Sequence, residues 1–435
     1  MKFSILKLTW LALAIGMLSG CGDDEETVYP VVIINSPASN AEYNVLDTIG
    51  LVIRVDYPKT TVLLKVNLQN QSLVSVAPTL QVDQFATGTE TTLYYAISSG
   101  ELESGSYKLM AEASNGSIYT RNYVTVYING IDRVLSYVFV VEETGTNNHQ
   151  IRRYDPTVQN PLTVNFNGDY AGSDVSSQAQ LFFIAGEHFG DLTAYHADDL
   201  LVKWTSPITS SSTTPYFTCL QTIGNNVYAG LWEGYNARWN MSGDKGVSTE
   251  ITSTTFSRLL YNSGKYLISA AVQKSNYLTQ WLEVYYIDLG GMLVTTVSDI
   301  QPVVFTEPTP GSVLILGNNQ NGKAYTRTFN PMTGNLGFPP QPFDLPAASI
   351  NAGVAVTNTR IALALENGIY LYDFQAALLP ISTQTNVREI RYDNISRRLW
   401  CITNNKLLVI ELNGSTVAEY IIGADLVNLH LMYNK

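Results

Sequence analysis

The chain has four histidines in 435 residues, and two of them lie among carboxylates. His149 follows Glu142 and Glu143, and His188 follows Glu187 directly. Imidazole with carboxylate is a usable donor set for zinc or another divalent ion. His149, His188 and Glu187 are therefore candidate metal ligands, and a divalent ion is the one cofactor the sequence offers. Glu142, Glu143, Glu187, Glu233 and Glu366 each follow a short apolar run, and Asn318-Asn319 and Asn404-Asn405 occupy corresponding places. Brought to one surface, they would form an acidic, hydrogen-bonding rim. Trp232, beside Glu233, either gives that rim an aromatic platform for a sugar or peptide side chain, or packs in a core. There is no G-x-S-x-G elbow, no H-E-x-x-H, no P-loop and no dinucleotide fingerprint. Their absence favours a non-catalytic binding or scaffold protein. The alternative is a glycan-active or metal-dependent enzyme, since paired rim carboxylates suit glycosidic acid–base work.

The elements that would position these residues are repeats. Apolar runs recur at Tyr137-Val141, Leu181-Ala185, Val227-Leu231, Tyr266-Ala270, Val313-Leu316, Ile361-Leu365 and Leu399-Ile402. Each is followed by a polar loop and a partner strand. Markers in those partners, Tyr154, Tyr195, Trp239, Ile287, Phe329, Tyr372 and Ile410, are spaced 41, 44, 48, 42, 43 and 38 residues apart. That is the size of a propeller blade. Runs without polar alternation fit strands covered on both faces. Only the first repeat lacks a leading strand, and the C-terminal LVNLHLMYN, residues 426–434, matches the leading strand VREIRYDN, residues 387–394. The expectation is a β-propeller over residues 131–435, of seven blades with six or eight as alternatives, closed by the C-terminal strand. The loops after the apolar runs then share one rim, which brings His149 and His188 into one sector, and His430 on the closing strand can face the channel.

Residues 30–129 read differently. Six β-rich runs, including VVIINSP, LVIRVDYP and VLLKVNL, alternate with turn residues over about one hundred positions, which suits an immunoglobulin-like sandwich. The whole chain is thus expected to be all-β, a β-sandwich followed by a propeller.

Residues 1–20 carry Lys2, Lys7 and an apolar run too short to span a bilayer, as in a signal peptide. The Leu18-Ser19-Gly20-Cys21 that follows resembles a bacterial lipobox, which implies that Cys21 is lipidated and anchors the mature chain. Gly22-Asp23-Asp24-Glu25-Glu26, within an acidic tether over residues 21–29, resembles the surface-export signal of Bacteroidota lipoproteins. INSPASNAEYNVLDTIGLVIRVDY resembles the PKD-like and Ig-like modules of the same surface proteins. Together these resemblances imply an outer-membrane lipoprotein displayed at the cell surface, with a protein or glycan as its ligand. Ser242-Gly243-Asp244-Lys245-Gly246-Val247-Ser248 resembles a single Asp-box turn without its closing tryptophan.

Composition agrees with export. Removing residues 1–20 takes away Lys2 and Lys7 and moves the net charge from -12 to -14, which argues against nucleic acid as a partner. Beyond Cys21 only Cys219 and Cys401 remain, on repeats too far apart to pair, and both read as buried small hydrophobes.

Overall fold

The computed structural model describes residues 28–98, 102–209, 213–339, 348–374, 378–423 and 425–435. The expected signal peptide, Cys21 and most of the expected acidic tether lie outside these residues. The described chain is all-β. No helix among the described residues is long and apolar enough to cross a membrane. The chain divides into two compact units after Asp132.

The first unit pairs a three-stranded and a five-stranded sheet. The smaller contains Val31–Ser36, Thr48–Asp56 and Glu90–Ala96. The larger runs in the order Ala41–Asn44, Tyr119–Asn129, Gly105–Ser114, Thr61–Gln69 and Leu80–Ala86. Alternation in Thr48–Asp56 sends Ile49, Leu51, Ile53 and Val55 inward. They share one core with Leu64, Val66, Leu68, Leu109, Val126 and Ile128 of the larger sheet. Tyr95 links the layers: its hydroxyl accepts from Leu68 N at 3.1 Å and donates to Pro78 O at 2.9 Å. Ala41–Asn44 and Leu80–Ala86 are strands without a sequence signal; each is polar on its exposed face and apolar only at scattered positions.

The described residues of the second unit form seven sheets. Each of the recurrent apolar runs lies in the second strand of its sheet, from Leu135–Gly145 in sheet one to Arg398–Ile402 in sheet seven. The leading strands of sheets two to seven are Gly172–Ser176, Phe217–Ile223, Thr255–Ser263, Ile300–Thr309, Ile350–Ala355 and Glu389–Asp393. Sheet one takes its leading strand from the C-terminus: Leu426–Tyr433 pairs antiparallel with Leu135–Gly145, with His430 opposite Phe139. Leading strands of successive sheets touch, and the series returns from sheet seven to sheet one. Sheet three has three strands, and a Trp239–Lys245 bridge stands where a fourth would pair. The Ser242-Ser248 segment makes that turn, with Asn240 Oδ1 accepting from Ser242 N and Asp244 N at 2.9 Å.

Apolar clusters occupy every junction between neighbouring sheets. Sheets one and two share Phe139, Val141, Phe182 and Ile184, with the two phenylalanine rings stacked at 4.9 Å. Sheets seven and one share Trp400, Ile402, Val138, Val140 and three leucines of the C-terminal strand, Leu426, Leu429 and Leu431. The second strands are apolar throughout because both their faces are covered.

Removal of residues 426–435 should therefore unfold the second unit, because sheet one loses its leading strand and sheet seven an apolar neighbour. A single Leu429→Ala change should cost that unit about 2–5 kcal/mol. Calorimetry checks both: the first unit, with its own core, should keep its transition. A truncated chain with both transitions unchanged would exclude closure by the C-terminal strand.

Candidate functional site

The leading strands of all seven sheets bound one central cavity of about 620 Å³. Its wall mixes charges and amides: Asp174, Gln221, Arg258, Gln301, Asn351, Glu389, Arg391, Asn428 and His430. Between them stand small or apolar residues such as Gly172, Val303, Ala352 and Val354. These positions follow from strand geometry. A leading strand turns alternate side chains toward the neighbouring sheets and the cavity, so a polar residue placed among apolar ones faces the opening.

Sheets seven, one and two build a connected polar network on one side of this wall. Asn428 Nδ2 donates to the Tyr170 hydroxyl at 2.6 Å, and that hydroxyl lies 2.7 Å from Ser173 Oγ. Ser173 Oγ lies 2.8 Å from His430 Nε2. With donors running in that order, Nδ1–H of His430 faces Asp174 Oδ1 at 3.6 Å. Asp174 also accepts from Thr222 N at 2.6 Å, Val175 N at 2.9 Å and Gln221 Nε2 at 3.1 Å. Arg391 pairs with Glu389 at 3.2 Å and donates from Nε to Leu429 O at 2.9 Å.

Burial dominates the electrostatics of this network. It holds the His430 imidazole well below its ordinary range, and the nearby Arg391 charge adds to the shift. The ring is therefore neutral at pH 7, edge-on to Phe182 at 5.9 Å. Burial raises the Asp174 carboxyl against the backbone hydrogen bond from Thr222, and pushes the Tyr170 hydroxyl up to about 12. Cys219 and Cys401 are buried and unpaired, as inert small side chains.

The residues named from sequence lie mostly elsewhere. His188 and Glu187 do meet, and their third partner is Asp169: ligand atoms of the three lie within 4.8 Å of one another. Asp169 accepts from His188 N at 2.8 Å, Phe189 N at 2.9 Å and the His188 ring at 3.0 Å. A carboxylate that fixes an imidazole in this way is a common support for a metal-binding histidine. The same bonds brace the turn over residues 186–190. His149 stands apart from this group, buried, with Nδ1 2.9 Å from Gly168 O and its ring 5.5 Å from Tyr170. Glu142 is buried, its Oε2 accepting from both Nε and Nη2 of Arg152, on the other side of sheet one from His149, and Glu143 is exposed.

Trp232 is half-buried against Phe256 of sheet four at 4.6 Å, with Lys274 over its ring and Glu233 exposed beside it. It thus packs at a sheet junction and keeps an open edge. Asn318 is tied to both backbone groups of Ile350, at 2.8 and 2.9 Å, and so joins sheets five and six. Glu366 accepts from Ser349 Oγ at 2.8 Å, and Asn404 receives Leu426 N on its carbonyl at 2.8 Å. Of the histidines named, only His430 lines the central cavity. The cavity residues Asp174, Gln221, Arg258, Gln301, Asn351, Glu389 and Arg391 had one available signal. Each is a polar residue in a leading strand with an apolar residue on at least one side.

No protein-family model and no curated protein matches the chain. Several solved structures are similar to it at low identity. The computationally designed Ika8 protein superposes with a TM-score of 0.46 at 11% identity, covering 68% of this chain and 90% of its own. A functionally unknown protein from Desulfotomaculum acetoxidans DSM 771 gives 0.47 at 11%, covering 68% and 99%. Kluyveromyces lactis Hsv2 gives 0.41 at 8%, covering 56% and 74%. Likenesses this distant do not bear on function.

Neutral His430 makes the second unit acid-sensitive. The unfolded imidazole titrates near the ordinary value of 6.5, above the folded one, so the unfolded chain binds the proton more readily. The contribution is full above pH 6.5 and falls as the pH drops below it, by up to about 1.4 kcal/mol per pH unit. Asp174, raised when folded, works in the opposite sense on further acidification. Urea midpoints measured against pH should show this slope, and His430→Gln should flatten it. An unchanged slope in that variant would assign the acid limb to other groups.

Proposed function

We propose that this is a lipid-anchored outer-membrane protein, displayed at the cell surface, that binds a small polar ligand in the central cavity of a seven-bladed β-propeller. In this reading residues 30–129 form an immunoglobulin-like spacer, and the acylated Cys21 is the anchor. Support for the propeller comes from seven sheets in series, apolar clusters at every junction and a leading strand supplied by the C-terminus. Two facing sheets around one core support the immunoglobulin-like reading. The anchor rests on the lipobox-like segment before Cys21 and the acidic run after it.

One observation carries the binding function: a cavity of about 620 Å³ whose wall takes polar side chains from every sheet. Such a space is sized for a small molecule, and convergent polar groups orient one. A second, enzymatic reading has its own observation. Asp174 and Glu389, the latter paired with Arg391, both face the cavity, so two carboxyl groups share one polar space.

Two experiments test the proposal. Cys21→Ser should abolish acylation and leave the protein out of the membrane fraction, because acyl chains are its only attachment; normal membrane recovery would remove the anchor. A thermal-shift screen of sugars, organic acids and amino acids should find a ligand that raises the melting temperature by mass action. Asn351→Trp, which fills the cavity from an exposed position, should erase that shift. Hits indifferent to Asn351→Trp, or no hits at all, would remove the cavity as the binding site, and consumption of a hit on incubation would establish the enzymatic reading.

A further inference from the structure

Four charged residues line the cavity: Asp174, Arg258, Glu389 and Arg391. Three of them are committed to protein partners. Asp174 is held by two backbone N–H groups and the Gln221 amide; Glu389 pairs with Arg391 and accepts from Ile390 N, and Arg391 also donates to Leu429 O. Arg258 differs. Among the described residues its guanidinium makes no ion pair or hydrogen bond, and it lies over the Phe256 ring at 5.7 Å. Arg258 is exposed, and it sits at a bulge in the leading strand of sheet four, where pairing skips from Ser257 to Leu259. Bulges of this kind re-aim a side chain out of the regular alternation.

The two strands that follow present the same condition in neutral form. Gln301 on sheet five and Asn351 on sheet six line the cavity, are exposed, and have side chains without a hydrogen bond among the described residues. The wall is therefore asymmetric. Sheets seven, one and two carry a network that satisfies itself, and sheets four, five and six offer one cation and two amides with their hydrogen-bonding capacity unspent. A guanidinium with no carboxylate of its own, facing a confined space, is a receptor for an anion of planar geometry. Amides both donate and accept, which matches hydroxyl groups that do the same.

We infer that the cavity takes a polyhydroxylated carboxylate such as a sugar acid, with its carboxylate on Arg258 and its hydroxyls on Gln301 and Asn351. This rests on the cavity being the binding site, as proposed above, and specifies what enters it. The carboxylate has two sources, a free sugar acid or the end unit of an acidic glycan. Both present the same group to Arg258.

Isothermal titration of the full chain separates the outcomes. Glucuronate and galacturonate should bind, and glucose and galactose should bind at least about tenfold more weakly, the loss expected for one charge-assisted hydrogen bond. Arg258→Gln should weaken uronate binding by a similar factor and leave the weak binding of the neutral sugars alone. Arg258→Lys should recover part of it, and raised salt should weaken the wild type more than Arg258→Gln. An oligouronate that binds more tightly than its monomer would identify a glycan end as the source; equal affinity would identify the free acid. Equal binding of uronate and neutral sugar, with no effect of Arg258→Gln, would overturn the inference and leave the cavity reading standing. Failure of uronates to bind while another screened ligand binds in an Asn351→Trp-sensitive way would overturn it equally. Loss of the cavity reading itself would show separately, as binding that Asn351→Trp does not touch.

Discussion

The second unit depends on one strand pairing. Leu426–Tyr433 lies against Leu135–Gly145, so the two ends of a chain segment of three hundred residues meet in one sheet. The pairing supplies backbone hydrogen bonds and places Leu426, Leu429 and Leu431 in the apolar junction with sheet seven. Without it, the series of sheets would end in two bare apolar faces and an unpaired strand edge. Further bonds reinforce this pairing: Tyr433 N donates to Ser177 Oγ at 3.0 Å, and the Tyr433 hydroxyl donates to Asp393 Oδ1 at 3.1 Å. The C-terminal strand is thereby fastened to sheets two and seven at once.

The central cavity is a consequence of the same arrangement. Seven leading strands converge on a common space, and the side chains of one strand cannot fill it alone. Small residues such as Gly172, Ala352 and Gly353 keep the opening wide. A Cβ on Gly353 would come within 2.8 Å of Val304, so the strand can approach its neighbour only with glycine there. His430 shows how the closing strand serves both fold and site. It is a member of the strand that completes sheet one, and its imidazole is neutral because burial disfavours the charged form. A residue that closes the fold thus also sets the polarity of one side of the cavity.

The loops after the apolar second strands illustrate a different economy. Glu142 neutralises Arg152 in a buried pair, Asn318 binds the backbone of the next sheet, and Asp169 braces the turn that holds His188. These polar residues stitch neighbouring sheets or turns together at their ends, where backbone groups would otherwise lack partners. Polar character in a loop is therefore as much a structural device here as a sign of ligand contact.

Most strands of the second unit, and the order in which they pair, are legible in the residues alone. Apolar runs such as Leu181–Ala185 and Tyr266–Gln273 need cover on both faces, and a repeat near forty residues leaves few ways to provide it. The match between residues 426–434 and residues 387–394 marked the C-terminus as a leading strand, because strand pattern is local and survives in the residue order. Weakly patterned edge strands such as Ala41–Asn44 left no such trace. Only the tertiary structure decided which polar residues meet. His149 and His188 stand one repeat apart, yet His149 is tied to Gly168 O, and the donor that joins Glu187 and His188 is Asp169. Asp174, Arg258, Gln301, Asn351 and Arg391 come from strands spread over more than two hundred residues, and no local pattern encodes their convergence. Which of them are free to bind something is set by hydrogen bonds between sheets, and those exist only after the sheets have packed.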